Sequence, residues 1–261
     1  MRTGLATLGL LLLAAAGDAG AAAPPQAAVE FWQLGQEALR DGKVDEAITL
    51  YRRSLQIDAE LSRNYLSLAA AYSAKGDDRR VVEYLTHYVQ LEPDHVAIRS
   101  HLAEILLRTQ HLDAARVHFE RCVADLQERP ETDPARLIHC HSRLVELAES
   151  SEDEYAERLN RGIGLYLLAR QRARLPDSAD EPAAQGLLFR AARELCAARQ
   201  EGPYAARPCW YLHLVWSSLG QQQPSERWLR AAADGPGDLT RVEKADLQTA
   251  CHQAAVLRGR K

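Results

Sequence analysis

A spacing of 34 residues constrains this chain more than any other feature. Segments 29–57, 63–91 and 97–123 align with one another at that step and need no insertion. Phe31, Leu34 and Gly35 fall over Tyr65, Leu68 and Ala69, then over Arg99, Leu102 and Ala103. Gly42 falls over Gly76, Ala47 over Val81 and Ala115, and Tyr51 over Leu85 and Phe119, while Pro93 closes the second segment. A fixed period of this length marks units that cannot bury their apolar faces alone and do so by stacking.

The spacing inside a unit is helical. Phe31, Leu34 and Ala38 lie three and four apart, on one stripe. Positions 40–43 (RDGK) read as a turn in which Gly42 takes a left-handed conformation. A second helix then starts near Asp45 and carries the stripe Ala47, Tyr51 and Ser54. Small Gly35 and small Ala47 allow close approach, and Tyr51 fills the space beside them. Each unit is thus a helical hairpin.

These residues resemble the tetratricopeptide repeat family. The likeness rests on Phe31, Leu34, Gly35, Ala47, Tyr51 and Ser54 in the first unit, and on Tyr65, Leu68, Ala69, Tyr72, Leu85 and Pro93 in the second. In the third it rests on Leu102, Ala103, Leu106, Ala115, Phe119 and Cys122. Ala38, Val81 and Arg99 depart from the family pattern. The resemblance implies an all-α, right-handed solenoid of hairpins whose first helices line a concave face. That face would carry Trp32, Gln36 and Arg40, then Arg63, Leu66, Ala70 and Ser73, then Ser100, His101, Glu104 and Arg108. Some family members grip a carboxylate with a set of Lys, Arg and Asn. Here those positions hold Trp32, Gln36, Ser67, Ala97 and His101, so that clamp is absent. A protein or peptide segment laid in the groove is the implied partner, with Trp32, Arg63, Leu66 and Glu104 as the principal contacts.

The first 22 residues read as a secretory leader. Arg2 supplies a charge, 5–16 (LATLGLLLLAAA) is an unbroken apolar run, and 19–23 are small. Twelve residues rise about 18 Å as a helix, too little to cross a bilayer. An exported chain, periplasmic or secreted, with no stable membrane span after cleavage is expected. Segment 23–28, which holds Pro24 and Pro25, is expected to be extended. A net charge of −4 and the lack of a long basic run exclude a general nucleic-acid binder.

After the three repeats of 29–126 the period fails. Segment 127–134 is turn-rich, and 135–257 reads as divergent helical hairpins. Helices are expected over 135–149, 153–175, 183–200, 208–219 and 225–233, with a last one over 239–257 capping the stack and a frayed tail at 258–261. Gly162 and Gly164 weaken their helix and suggest close approach of a neighbour. One continuous stack is expected in place of two independent domains.

Chemistry is sparse. Cys122, Cys140, Cys196, Cys209 and Cys251 are an odd number. Cys196 and Cys209 flank the Gly202-Pro203 turn and could pair, as could Cys122 and Cys140, although buried thiols serve equally as small apolar residues. His139 and His141 diverge around a helix and cannot grip one ion together. The chain has no nucleophile motif and no phosphate-binding glycine loop. The reading is a non-enzymatic scaffold without cofactor or metal. Its rivals are a redox- or metal-linked accessory built on the Cys and His residues, and an enzyme with a site around Trp210 and His213 in the divergent half.

Overall fold

The computed structural model describes residues 25–129, 133–174 and 181–259, with the side chains of 181 and 257–259 excepted. The leader expected over 1–22, the middle of the turn-rich break, most of the polar loop near 178 and the final two residues lie outside them. Among the described residues every regular element is a helix. They are α1 (Gln26–Arg40), α2 (Val44–Ile57), α3 (Ser62–Ala74), α4 (Asp78–Leu91), α5 (Val96–Arg108) and α6 (Leu112–Gln127). Then come α7 (Pro134–Ser150), α8 (Glu154–Arg172), α9 (Glu181–Glu201), α10 (Ala206–Ser218), α11 (Gln222–Ala233), a 3-10 turn at Pro236–Asp238 and α12 (Arg241–Gly259).

The first helix begins inside the segment expected to be extended. Pro25 stays outside it with ψ of 130°, and its carbonyl accepts the first bonds from Ala28 and Val29. Gln26, Ala27 and Ala28 are good helix formers, and Ala28 is fully buried, so helix prevails there.

The hairpin turns recur in one geometry. At the first, Gly42 adopts φ of 77°, its N–H meets the Leu39 carbonyl, and the Lys43 N–H reaches back to Ala38. This pair of bonds closes a helix C-terminus around a left-handed residue. The same pair recurs at Gly76 (Ser73 and Tyr72), Gln110 (Leu107 and Leu106), Glu152 (Glu149 and Ala148) and Gly220 (Ser217 and Trp216). Two of these five residues are not glycine.

The chain divides into two compact units, the first ending at His118 and the second starting at Phe119. The division falls inside α6, earlier than the turn-rich break, because the end of α6 is tied to later helices. The Gln127 amide donates to the Tyr211 hydroxyl and to Glu243, and the Phe119 ring meets His139 edge-on.

In unit 1, α1 packs on α2, α2 on α3, α3 on α4 and α4 on α5, while the successive first helices α1 and α3 also touch. Gly35 lies flat against Tyr51, where an added Cβ would sit 2.5 Å from a ring carbon. The seams carry polar ties as well. The Ser54 hydroxyl donates to the Ala28 carbonyl and accepts from the fully buried Asn64 amide at 2.8 Å, joining α1, α2 and α3. Lys75 pairs with Asp45 and Arg108 with Asp78, each joining the end of a first helix to the start of the preceding second helix. Those pairs place cations at helix C-termini and anions at N-termini, which suits the helix dipoles.

In unit 2, α7 packs on α8, α8 on α9, α9 on α10, α10 on α11 and α11 on α12. Its core gathers Ile163, Tyr166, Leu195, Trp210, Leu212, Val215 and Leu229. A buried polar knot fastens it. Thr240 and Glu243 form a capping box at the start of α12: the Thr240 N–H donates to Glu243 Oε2 at 2.9 Å, and the Glu243 N–H to Thr240 Oγ1 at 3.2 Å. Glu243 Oε1 also accepts from Tyr211 at 2.8 Å, Arg207 at 3.1 Å and Gln127 at 3.2 Å. Burial alone would raise the Glu243 carboxyl, but Arg207 and these donors hold it below its ordinary value. Asp238, in the 3-10 turn, accepts the Ala206 and Arg207 N–H groups and so caps α10 from a distance in sequence.

Candidate protein-docking face

The contact between α1 and α3 brings four side chains of unit 1 together. Trp32 Nε1 and Gln36 Nε2 each donate to Ser67 Oγ at 2.9 Å, and that hydroxyl donates to the Arg63 carbonyl at 2.9 Å. Ser67 is nearly buried, and its one donor and two acceptor sites are all used. The Arg63 guanidinium lies 4.7 Å from the centre of the Trp32 ring. Stacking of this kind flattens an Arg on an aromatic face and leaves its N–H edges free to meet an acceptor. Arg63, Trp32 and Gln36 are half-buried, and Arg40 is exposed one turn beyond Gln36.

The other groove candidates fare differently. Leu66 is 3 % exposed and supplies no docking surface, which corrects its place among the principal contacts. The reason is that α3 is buried on more than one side, with Asn64, Leu66, Ser67, Leu68, Ala69, Ala71 and Tyr72 all covered. Ala70 is half-buried. On α5, Ser100, His101 and Glu104 are half-buried, and exposed Arg108 is committed to Asp78 at 2.9 Å. Burial, with Arg108 nearby, lowers the His101 pKa against the opposing pull of Glu104. Ser67 enters the sequence analysis only as a position where the carboxylate clamp is absent, and its role in fixing Trp32 and Gln36 is not legible there. Beyond that position, its signal is a lone hydroxyl, one turn after Arg63, within the apolar run LSLAAAY.

No disulfide joins any of the five cysteines, so Cys196 and Cys209 stand as separate thiols. Burial raises both thiols, and Cys209 lies close enough to raise Cys196 further. His213 faces Ser225, whose hydroxyl lies 2.8 Å from Nδ1. Ser225 is buried within α11, and its hydroxyl and carbonyl both face His213 Nδ1, while the His213 ring lies against Trp210 with centroids 5.3 Å apart. Among the described residues no group of three metal-ligating side chains converges. Nor is any described helix long and apolar enough to cross a membrane.

No family model matches the chain, and no curated protein matches it. Solved structures do show likeness. A crystal structure of MamA protein is 14 % identical, with a TM-score of 0.41 over 80 % of this chain and 91 % of that one. PilF of Pseudomonas aeruginosa is 15 % identical, with a TM-score of 0.38 over 86 % and 98 %. YrrB, described as a TPR protein with an unusual peptide-binding site, is 14 % identical, with a TM-score of 0.34 over 85 % and 92 %. Superpositions this loose decide nothing; the fold rests on the recurring turns and hairpin packing. The repeats are tetratricopeptide-like.

Proposed function

We propose that this chain is an exported, non-catalytic scaffold that holds a segment of another protein on the α1–α3 face of unit 1. The observation that supports this reading is the seam in which Ser67 fixes Trp32 and Gln36 while Arg63 stacks on Trp32. A prearranged Arg–aromatic pair meets a partner with little further loss of side-chain freedom. Arg40, Ala70, Ser100 and Glu104 extend the face, with Arg108 at its end already paired to Asp78; Arg40 and Arg63 outnumber Glu104, so an acidic segment suits it. Export rests on the leader-like order of the first 22 residues.

A photo-activated cross-linker at position 40 in native cells tests the face. A partner captured by the parent and lost with both Trp32→Ala and Arg63→Ala, at unchanged helicity and melting temperature, supports it. Capture undiminished in both variants overturns it. Fractionation with N-terminal sequencing of the mature chain tests export, and a cytoplasmic chain still starting at Met1 would end that part of the reading.

A further inference from the structure

Unit 2 contains a cleft of about 260 Å³ lined by residues of α6, α7, α8, α10 and α12 and the chain beside them. Small-molecule sites span roughly 300–1,000 Å³, so the occupant of this one is small. Its lining includes His141, which is 1 % exposed. His141 Nδ1 lies 2.8 Å from Asn160 Oδ1, and the Asn160 amide nitrogen donates to the Ala156 carbonyl at 2.8 Å. That second bond fixes Oδ1 as the acceptor, so Nδ1 carries the ring hydrogen and Nε2 presents a lone pair. Nε2 has no hydrogen-bond partner. Burial first, and Arg207 second, lower the ring to about 4, so it is neutral near pH 7 and Nε2 can only accept. A buried acceptor without a donor is unfavourable, and a donor brought by a ligand relieves it.

The rest of the lining has a complementary character. Tyr166, Trp210 and Leu214 give an apolar wall, and exposed Arg129, Arg170 and Arg174 add three cations, Arg170 lying 5.7 Å from the centre of the Tyr166 ring. Glu243 also lines the cleft but is already engaged by Arg207, Tyr211 and Gln127. Exposed Asp246 is the other acid.

We propose that this cleft binds a small aromatic or aliphatic acid bearing an N–H or O–H donor. The donor meets His141 Nε2, the apolar body lies against Tyr166, Trp210 and Leu214, and the anionic group meets Arg170 and Arg174. The site is independent of the α1–α3 face, and variants of Trp32 leave it unchanged.

Three probes titrated into the full chain by calorimetry test this. They are N-acetyl-phenylalanine, its C-terminal amide, and the ketone analogue with CH2 in place of the N–H. The first binds, and each of the others is weaker by about tenfold, the loss expected for one hydrogen bond or charge contact. On adding the first probe, the His141 Nε2 nitrogen resonance moves from the position of a bare lone pair toward that of a hydrogen-bonded acceptor. The Arg170→Ala/Arg174→Ala variant, altered at exposed positions, loses the preference for acid over amide. His141→Leu loses the preference for the N–H probe over the ketone. Where that variant does not fold, the resonance in the parent chain decides. Equal binding of the three probes, no binding, or an unmoved His141 resonance overturns the proposal.

Discussion

Gly162 and Gly164 occupy one helix, two residues apart, and replacing each by Ala should shift stability in opposite directions. Gly inside a helix costs about 1 kcal/mol relative to Ala, so that gain is common to both. At Gly164 the new Cβ would meet only the His141 Cβ, at 3.8 Å, an ordinary contact, and the gain is kept. At Gly162 it would stand 2.6 Å and 2.9 Å from Leu195 side-chain atoms and 3.3 Å from the Leu195 backbone nitrogen. Leu195 is fully buried and has nowhere to swing, and the backbone contact sets the distance between α8 and α9. Overpacking of this kind costs about 1–3 kcal/mol, which exceeds the helix gain. Gly164→Ala should therefore be about 1 kcal/mol more stable than the parent, and Gly162→Ala about 1 kcal/mol less. At roughly 2–4 °C per kcal/mol for a unit of this size, the two variants should melt about 6 °C apart. Trp210, Trp216 and Trp228 lie in unit 2 and Trp32 in unit 1, so tryptophan fluorescence of a Trp32→Phe background during urea or thermal unfolding follows the relevant unit. If Gly162→Ala is as stable as Gly164→Ala, the close approach of α8 and α9 is not the reason that glycine stands there.

The other expectations concern single sites. Gln110 holds φ of 63° with a side chain that disfavours it, so Gln110→Gly should stabilise unit 1 by about 1 kcal/mol, read as a higher urea midpoint; a lower midpoint would contradict the strain. Gly186 is exposed within α9 with nothing within 4 Å of an added Cβ, so Gly186→Ala should raise the melting temperature of unit 2 by about 2–4 °C, and a fall would refute it. His141 is depressed from 6.5 to about 4 in the folded chain, so between those values the unfolded state binds the extra proton. Stability is whole above pH 6.5 and falls as the pH drops toward 4, by about 3 kcal/mol in all, and His141→Leu should flatten that part of the urea-midpoint profile. An unchanged slope in the variant would place the acid sensitivity elsewhere.

Much of unit 1 is legible in the sequence because its turns and close contacts use residue types with one physical purpose. Gly42 and Gly76 sit at positive φ, and Gly35 meets the Tyr51 ring directly, where the pattern sets it against small Ala47 with Tyr51 beside them. Leu66 is misplaced when position within a repeat outweighs local composition. The continuous run LSLAAAY leaves no clean polar face, which is how a helix covered on several sides reads. Ser67 and Asn64 are not legible as ties, since a buried hydroxyl or amide within an apolar helix announces no partner. In unit 2 the Thr240-x-x-Glu243 spacing matches a capping box that the expected helix start at 239 does not use. That the same carboxylate also anchors Tyr211, Arg207 and Gln127 depends on tertiary placement and leaves no local signal.

The turns show why the period is lost after the third hairpin. Left-handed residues stand at 42, 76 and 110, one period apart, and then at 152 and 220. The step from 110 to 152 is eight residues longer than a period, an excess that spans the Pro-containing break between α6 and α7. The step from 152 to 220 is two periods. A turn midway would fall at 186, and a glycine stands there, but the chain runs through it as helix in α9 and its φ is not positive. The backbone thus keeps the hairpin geometry at 110 and 152 where the glycine is gone, and drops it at 186 where the glycine is present. A glycine permits the left-handed turn without imposing it; packing decides. At 152 the turn lets α7 fold back on α8, while at 186 an unbroken α9 lies along both α8 and α10, a surface that a hairpin there would interrupt.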